Sequence, residues 1–210
     1  MGGPNTPGVL IIKQNIVRNL LVPSEPGGGI VLYVRKSNQN YVRNIEAREE
    51  SGTPDVIGTI RVGLVLMIRQ KIPHDYIITR DERINSIVMT HFKKIPNLYV
   101  IGDVNAKRLP IYSFVIKFNG RLLHYNFVSI LLNDLFGIQS RGGCSCASIY
   151  GQESLGIDEN LAEELEKIVC NGKEIFRPGY TRVNFPYFYP DYVFNVLNSF
   201  FFNFRLLTTS

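Results

Sequence analysis

Apolar residues open the chain in two short uninterrupted runs, Val9 to Ile12 and Ile30 to Val34, separated by segments rich in glycine and proline. Runs of this length between turn residues predict buried strands. The period then changes. Ile57, Ile60, Leu64 and Met67 recur at helical spacing behind Thr53 and Pro54, which predicts a helix of about five turns with Thr53 as N-cap and Pro54 in its first position. Ile84, Ile87, Val88 and His91 predict a second helix, ended at Ile95-Pro96-Asn97.

Beyond that point strand and helix patterns alternate. Leu98 to Ile101 and Ile111 to Phe118 read as strands. Phe127, Ile130, Leu131 and Leu135 read as the face of a third helix capped by Asn126, and Leu161, Leu165 and Ile168 mark a fourth. Thr181, Val183 and Phe185 alternate with Tyr180, Arg182 and Asn184, the signature of a half-buried strand. Val193, Val196, Leu197, Phe200 and Phe201 predict a last helix. The expected class is α/β, with a C-terminal domain over residues 75–210. Residues 1–74 offer only two strands and a long helix, so they read as part of a larger sheet whose edges need neighbours.

Composition adds limits. Hydrophobic residues make up 45% and charged residues 20%, a balance that favours a folded core over disorder. The longest apolar run, Leu64 to Ile68, is far too short to span a membrane, and no basic-then-apolar leader opens the sequence; a soluble, cytoplasmic protein without membrane contact is expected. The net charge of +5 comes from scattered basic pairs and not from a tract, which argues against nucleic-acid binding. Three cysteines and three histidines, with only a lone Cys144-x-Cys146, give no metal-ligand spacing.

Several segments carry candidate chemistry. Pro26-Gly27-Gly28-Gly29 is a flexible turn or a set of backbone N–H groups that converge on an anion. Gly52-Thr53-Pro54 is a helix cap or a phosphate site at a helix N-terminus. Arg141-Gly142-Gly143-Cys144-Ser145-Cys146 is a glycine-rich turn with incidental thiols, or a loop in which Arg141 lowers a thiol pKa. Arg182 stands on a strand whose other face is apolar, a rigid mount for bidentate capture of a carboxylate or simply a solvated side chain.

These segments, G-G-P-N-T-P-G-V-L, P-G-G-G, E-A-R-E-E-S-G-T-P-D, F-G-I-Q-S-R-G-G-C-S-C-A and K-E-I-F-R-P-G-Y-T-R-V-N-F, occur in an order that resembles the class V aminotransferase family, which includes the cysteine desulfurases. The resemblance implies the C-terminal part of a pyridoxal-phosphate enzyme of fold type I, with residues 1–74 belonging to the large cofactor-binding domain and 75–210 forming the small one. It implies cofactor-binding roles for Thr53, Gly52, Gly28 and Gly29, with Thr53 a phosphate ligand reaching a neighbouring subunit. It implies substrate-binding roles for Arg182 and Arg141, and a sulfur-carrying catalytic role for Cys146.

An amino-acid substrate and a homodimeric intact enzyme are further implications. Cys144 departs from the desulfurase pattern, which has a histidine there. The family's cofactor lysine precedes the G-G-P turn, and Lys13, on the far side of that turn, is not placed to replace it; the chain is therefore expected to be truncated and inactive alone. The alternative expectation is a non-catalytic remnant that only associates with a partner chain.

Overall fold

The computed structural model describes residues 3–17, 22–143 and 148–193. The chain divides into two compact units, 1–73 and 74–210.

The first unit holds a short helix α1 (Gln14–Val17), a hairpin of β1 (Val31–Arg35) and β2 (Asn38–Tyr41), a short helix α2 (Ile45–Glu49) and the long α3 (Val56–Gln70). Its interior is small. Ile30 and Val62 are buried, whereas Leu10 and Ile11 are 84% and 90% exposed and Leu32, Tyr33 and Val34 also face outward. The expected buried strand at Val9–Ile12 is thus not formed, and the Ile30–Val34 strand is present but buried only at Ile30. Both runs have strand-forming side chains without a sheet to cover them, and a two-stranded hairpin cannot bury its own faces.

Helix α3 also corrects the sequence reading. It starts at Val56, and Asp55 is its N-cap, the carboxylate accepting the Gly58 N–H at 2.8 Å. Asp55 does what Thr53 was expected to do, because an aspartate satisfies the orphan N–H three residues on at least as well as a threonine. The apolar spacing is real, but Ile57, Ile60, Leu64 and Met67 are exposed, and Gly58 and Val62 are the positions turned inward.

The second unit contains α4 (His74–Phe92), β3 (Leu98–Val100), β4 (Ile111–Phe118), β5 (Arg121–Leu122), α5 (Tyr125–Phe136), β6 (Arg141–Gly143), α6 (Ser148–Ser154), α7 (Glu159–Cys170), a 3-10 turn at Glu174–Phe176 and β7 (Tyr180–Asn184). The sheet order is β3-β4-β7-β6, with β5 paired to β4, and every described pairing is antiparallel. One face of the sheet carries the core. Tyr112, Phe114 and Ile116 of β4 and Val183 of β7 pack with Ile84, Val88 and Phe92 of α4 and Val128 and Leu132 of α5. Tyr112 is buried and its hydroxyl donates to Asn85 Oδ1 at 2.5 Å, so its polar end is satisfied.

Alternation along β7 follows the sequence expectation from Thr181 to Asn184, with Thr181 and Val183 buried and Arg182 half-buried between them, but Tyr180, expected on the open face, is buried. Helix α5 differs. His124, not Asn126, is its N-cap, and its buried stripe is Val128 and Leu132 while Phe127, Ile130 and Leu135 are exposed. Apolar residues surround this helix on most sides, so spacing alone admits two stripes. The segment expected as a loop at Arg141 is an edge strand, formed through its pairing with β7. Cys144, Cys146 and most of the expected last helix lie outside the described residues.

Candidate substrate and phosphate sites

In the second unit two strands bring the predicted arginines together. Arg141 of β6 and Arg182 of β7 are direct Cα partners, and Ser113 of β4 is the partner of Arg182 on its other side. Directly opposed residues of an antiparallel pair share one face, so Ser113, Arg182 and Arg141 form a row on the face opposite the core. Among the described residues neither guanidinium has an ion-pair partner. Two like charges directly opposed across a ladder repel. A carboxylate between them would remove that repulsion and offer its two oxygens to planar, bidentate donors.

The floor under this row is tightly built. Thr181, only 2% exposed, donates from Oγ1 to the Tyr125 carbonyl at 3.2 Å, tying β7 to the start of α5 one residue before Arg182. On the α5 side of β6 a cavity of about 580 Å³ is lined by Asn126, Ser129, Ser140 and Gly142 among others. It lies away from the arginine row.

In the first unit three motifs far apart in sequence meet. The Gly3–Pro7 turn docks on the start of α3, where Arg61 Nη1 donates to the Pro4 carbonyl at 2.7 Å, and Gly58 has no room for a Cβ, which would lie 2.5 Å from Pro7 Cδ. The glycine loop 27–29 lies against residues 51–52. Gly52 N–H donates to the Gly28 carbonyl at 2.9 Å, and a Cβ on Gly27 would come within 2.9 Å of Ser51 Oγ. Gly29 and Gly52 have φ of 82° and 81°, a left-handed backbone that glycine adopts without strain.

These loops hold Thr53 on an exposed surface beside α3. Asp55 answers the Gly58 N–H at the start of α3 and adds a negative charge there, while Thr53 presents its hydroxyl two residues before that cap. The Gly52 N–H is already engaged, and Gly28 and Gly52 act by shaping the loops. Sequence reasoning missed Asp55 and Ser51, although an aspartate three residues before Gly58 is itself a cap signal.

The first 158 residues match the model of the family described as Aminotransferase class-V. The chain belongs to the class V aminotransferase family. Among relatives in that family, a cysteine desulfurase from Wigglesworthia glossinidia brevipalpis is 28% identical over 69% of this chain and 33% of its own length. A probable cysteine desulfurase from Borreliella burgdorferi is 24% identical over 84% and 44%. The chain thus spans less than half the length of these relatives.

Among solved structures, the apo cysteine desulfurase from Thermococcus onnurineus NA1 superposes with a TM-score of 0.65 at 19% identity, over 89% of this chain and 39% of the other. The cysteine desulfurase CsdA (S-sulfonic acid) from Escherichia coli superposes with 0.64 at 18%, over 88% and 38%. These likenesses show the fold, that of part of a class V, fold type I enzyme. The family depends on pyridoxal phosphate, and the residues of the first unit fit its phosphate end: a hydroxyl on an exposed loop, beside a glycine turn packed so closely at Gly27 that a Cβ there would strike Ser51. No helix of the described residues is long and apolar enough to cross a membrane.

Proposed function

We propose that this chain supplies the substrate-carboxylate clamp and part of the phosphate site of a pyridoxal-phosphate enzyme acting on an amino acid. The observation that carries this reading is the direct opposition of Arg141 and Arg182 without an ion-pair partner among the described residues.

Arg182, half-buried on a central strand, is the primary clamp. Arg141, exposed on the edge strand, closes on the same carboxylate. Together they orient the amino acid by its α-carboxylate and leave its amino group and side chain free to react. Pyridoxal phosphate, when bound, supplies the electron sink for the bond broken at the α-carbon. Thr53 donates its hydroxyl to the phosphate from loops shaped by Gly28, Gly29 and Gly52. In the homodimer that the family implies, this contact is made to the neighbouring subunit. Residues 1–73 then belong to the cofactor-binding domain and 74–210 to the smaller one. Cys146 is proposed as the sulfur acceptor when the amino acid is cysteine.

The test is titration of the chain with L-alanine and with L-alaninamide, which lacks the carboxylate. Binding of the acid at least about tenfold tighter than the amide supports the clamp, the scale of a charge-assisted hydrogen bond. Equal binding of the two would exclude it.

A further inference from the structure

Three glycines flank the two arginines, in Arg141-Gly142-Gly143 and in Gly179-Tyr180-Thr181-Arg182, and all three face one side chain. A Cβ on Gly179 would lie 2.6 Å from Tyr125 Cε1 and 2.7 Å from Cδ1. A Cβ on Gly142 would lie 2.8 Å from Tyr125 Cδ2, and one on Gly143 3.8 Å from Cε2. One edge of the phenol ring is therefore set against the approach to β7, and the other against β6. The ring is further fixed by His124, which stacks on it at 4.2 Å with 30° between the planes. Its backbone carbonyl is held by Thr181 Oγ1.

Beside its packing on α5, the strand held in this way has one described pairing. Among the described residues β6 has three residues, pairs with β7 alone and carries a charge opposed to a like charge. Three-residue edge strands are marginal, and repulsion between opposed cations works to open this pair. A Cβ at 179 would press on the ring and on the Gly143 backbone carbon at 2.9 Å, and one at 142 on the ring, on Asn126 Oδ1 at 2.8 Å and on Ser129 Oγ at 3.1 Å, so both positions need glycine.

Resting on the carboxylate-clamp reading, we propose that Tyr125 is a positioning residue. Its ring is wedged between β6 and the entrance to β7, sets the spacing of Arg141 and Arg182, and makes no contact with the substrate. The ring does the work and the hydroxyl is dispensable.

The experiment compares the full chain with Tyr125→Phe, Tyr125→Leu, Gly179→Ala and the double variant Tyr125→Leu/Gly179→Ala, reading amide exchange at residues 141–143 and 180–182 and affinity for L-alanine. Tyr125→Leu and Gly179→Ala should each speed exchange at these residues by about tenfold, while Phe114 and Ile116 stay protected. Each should also weaken L-alanine by about tenfold, the scale of one charge-assisted hydrogen bond lost. Tyr125→Phe should match the parent. The double variant should be less affected than the two single changes combined, because losing the ring removes the two closest contacts of the new methyl and leaves the one to the Gly143 backbone.

Unchanged exchange at 141–143 in folded Tyr125→Leu or Gly179→Ala overturns the proposal, as does Tyr125→Phe behaving like Tyr125→Leu. Should Tyr125→Leu fail to fold, Tyr125→Met takes its place in the same comparison. Should the parent chain not bind L-alanine, the carboxylate reading fails while the exchange comparison still decides the wedge.

Discussion

Arg141 and Arg182 face each other across β6 and β7 as Cα partners, on the side of the sheet away from the core. Such opposition costs stability that only a bound anion recovers. Arg141→Gln should therefore stabilise the ligand-free chain by about 0.5 kcal/mol at low ionic strength, with the gain fading in high salt. Urea midpoints at two salt concentrations check this. Destabilisation by the same change would mean that Arg141 makes an attractive contact, and the clamp reading would lose its main support.

The strand that carries Arg182 was legible in sequence because it rests on alternation. Thr181 to Asn184 alternates as its sequence does, which fixes Arg182 on the face opposite Thr181 and Val183, although Tyr180 is buried against that pattern. β4 has the same bounds as the strand expected from Ile111 to Phe118. β6 was not legible, since Arg-Gly-Gly has no intrinsic strand preference and becomes a strand only by pairing with β7. Nor was the exposure of Ile57, Ile60, Leu64 and Met67. Helical spacing reports that a face is apolar, and the partner that would cover it leaves no trace in the period. Tyr125 gave no sequence signal at all, because its role depends on glycines up to 54 residues away that meet it only in the fold.

The helix cap separates structure from binding at two neighbouring residues. Asp55→Ala should cost about 1 kcal/mol by leaving the Gly58 N–H unanswered. Thr53→Ala should change stability by less than about 0.5 kcal/mol, as expected for an exposed residue outside the cap, and should weaken binding of inorganic phosphate. Thermal unfolding and phosphate titration read the two effects. A Thr53→Ala loss as large as that of Asp55→Ala would make Thr53 a structural residue.

The two units should differ in local stability. Unit 1 buries few apolar side chains, whereas unit 2 holds a continuous core from Ile84 to Phe185. Amide exchange should be faster for Val31–Arg35 than for Ile111–Phe118. Equal protection of β1 and β4 in the monomer would show that the first unit needs no covering partner.

Acid should loosen the first unit at Glu49. Its carboxylate accepts the Ser24 N–H at 3.1 Å, and hydrogen bonds from Ser24, backbone first, hold its pKa below the ordinary 4.5, with a smaller contribution from Arg48. The folded state then binds this proton less readily than the unfolded state. The contribution is complete above pH 4.5 and is lost as pH falls through the lowered value. Glu49→Gln should flatten that part of the pH–stability curve, and a parallel curve for the variant would remove Glu49 from the account.

The central claim is that one carboxylate sits between Arg141 and Arg182, and a double-mutant cycle on L-alanine binding tests it most directly. Arg182→Ala should weaken binding about 30-fold, the equivalent of about 2 kcal/mol. Arg141→Ala should weaken it less, and the double variant should lose much less than the two losses combined, because both groups hold the same ligand. Strictly additive losses, or L-alanine bound equally by all four proteins, would contradict the account.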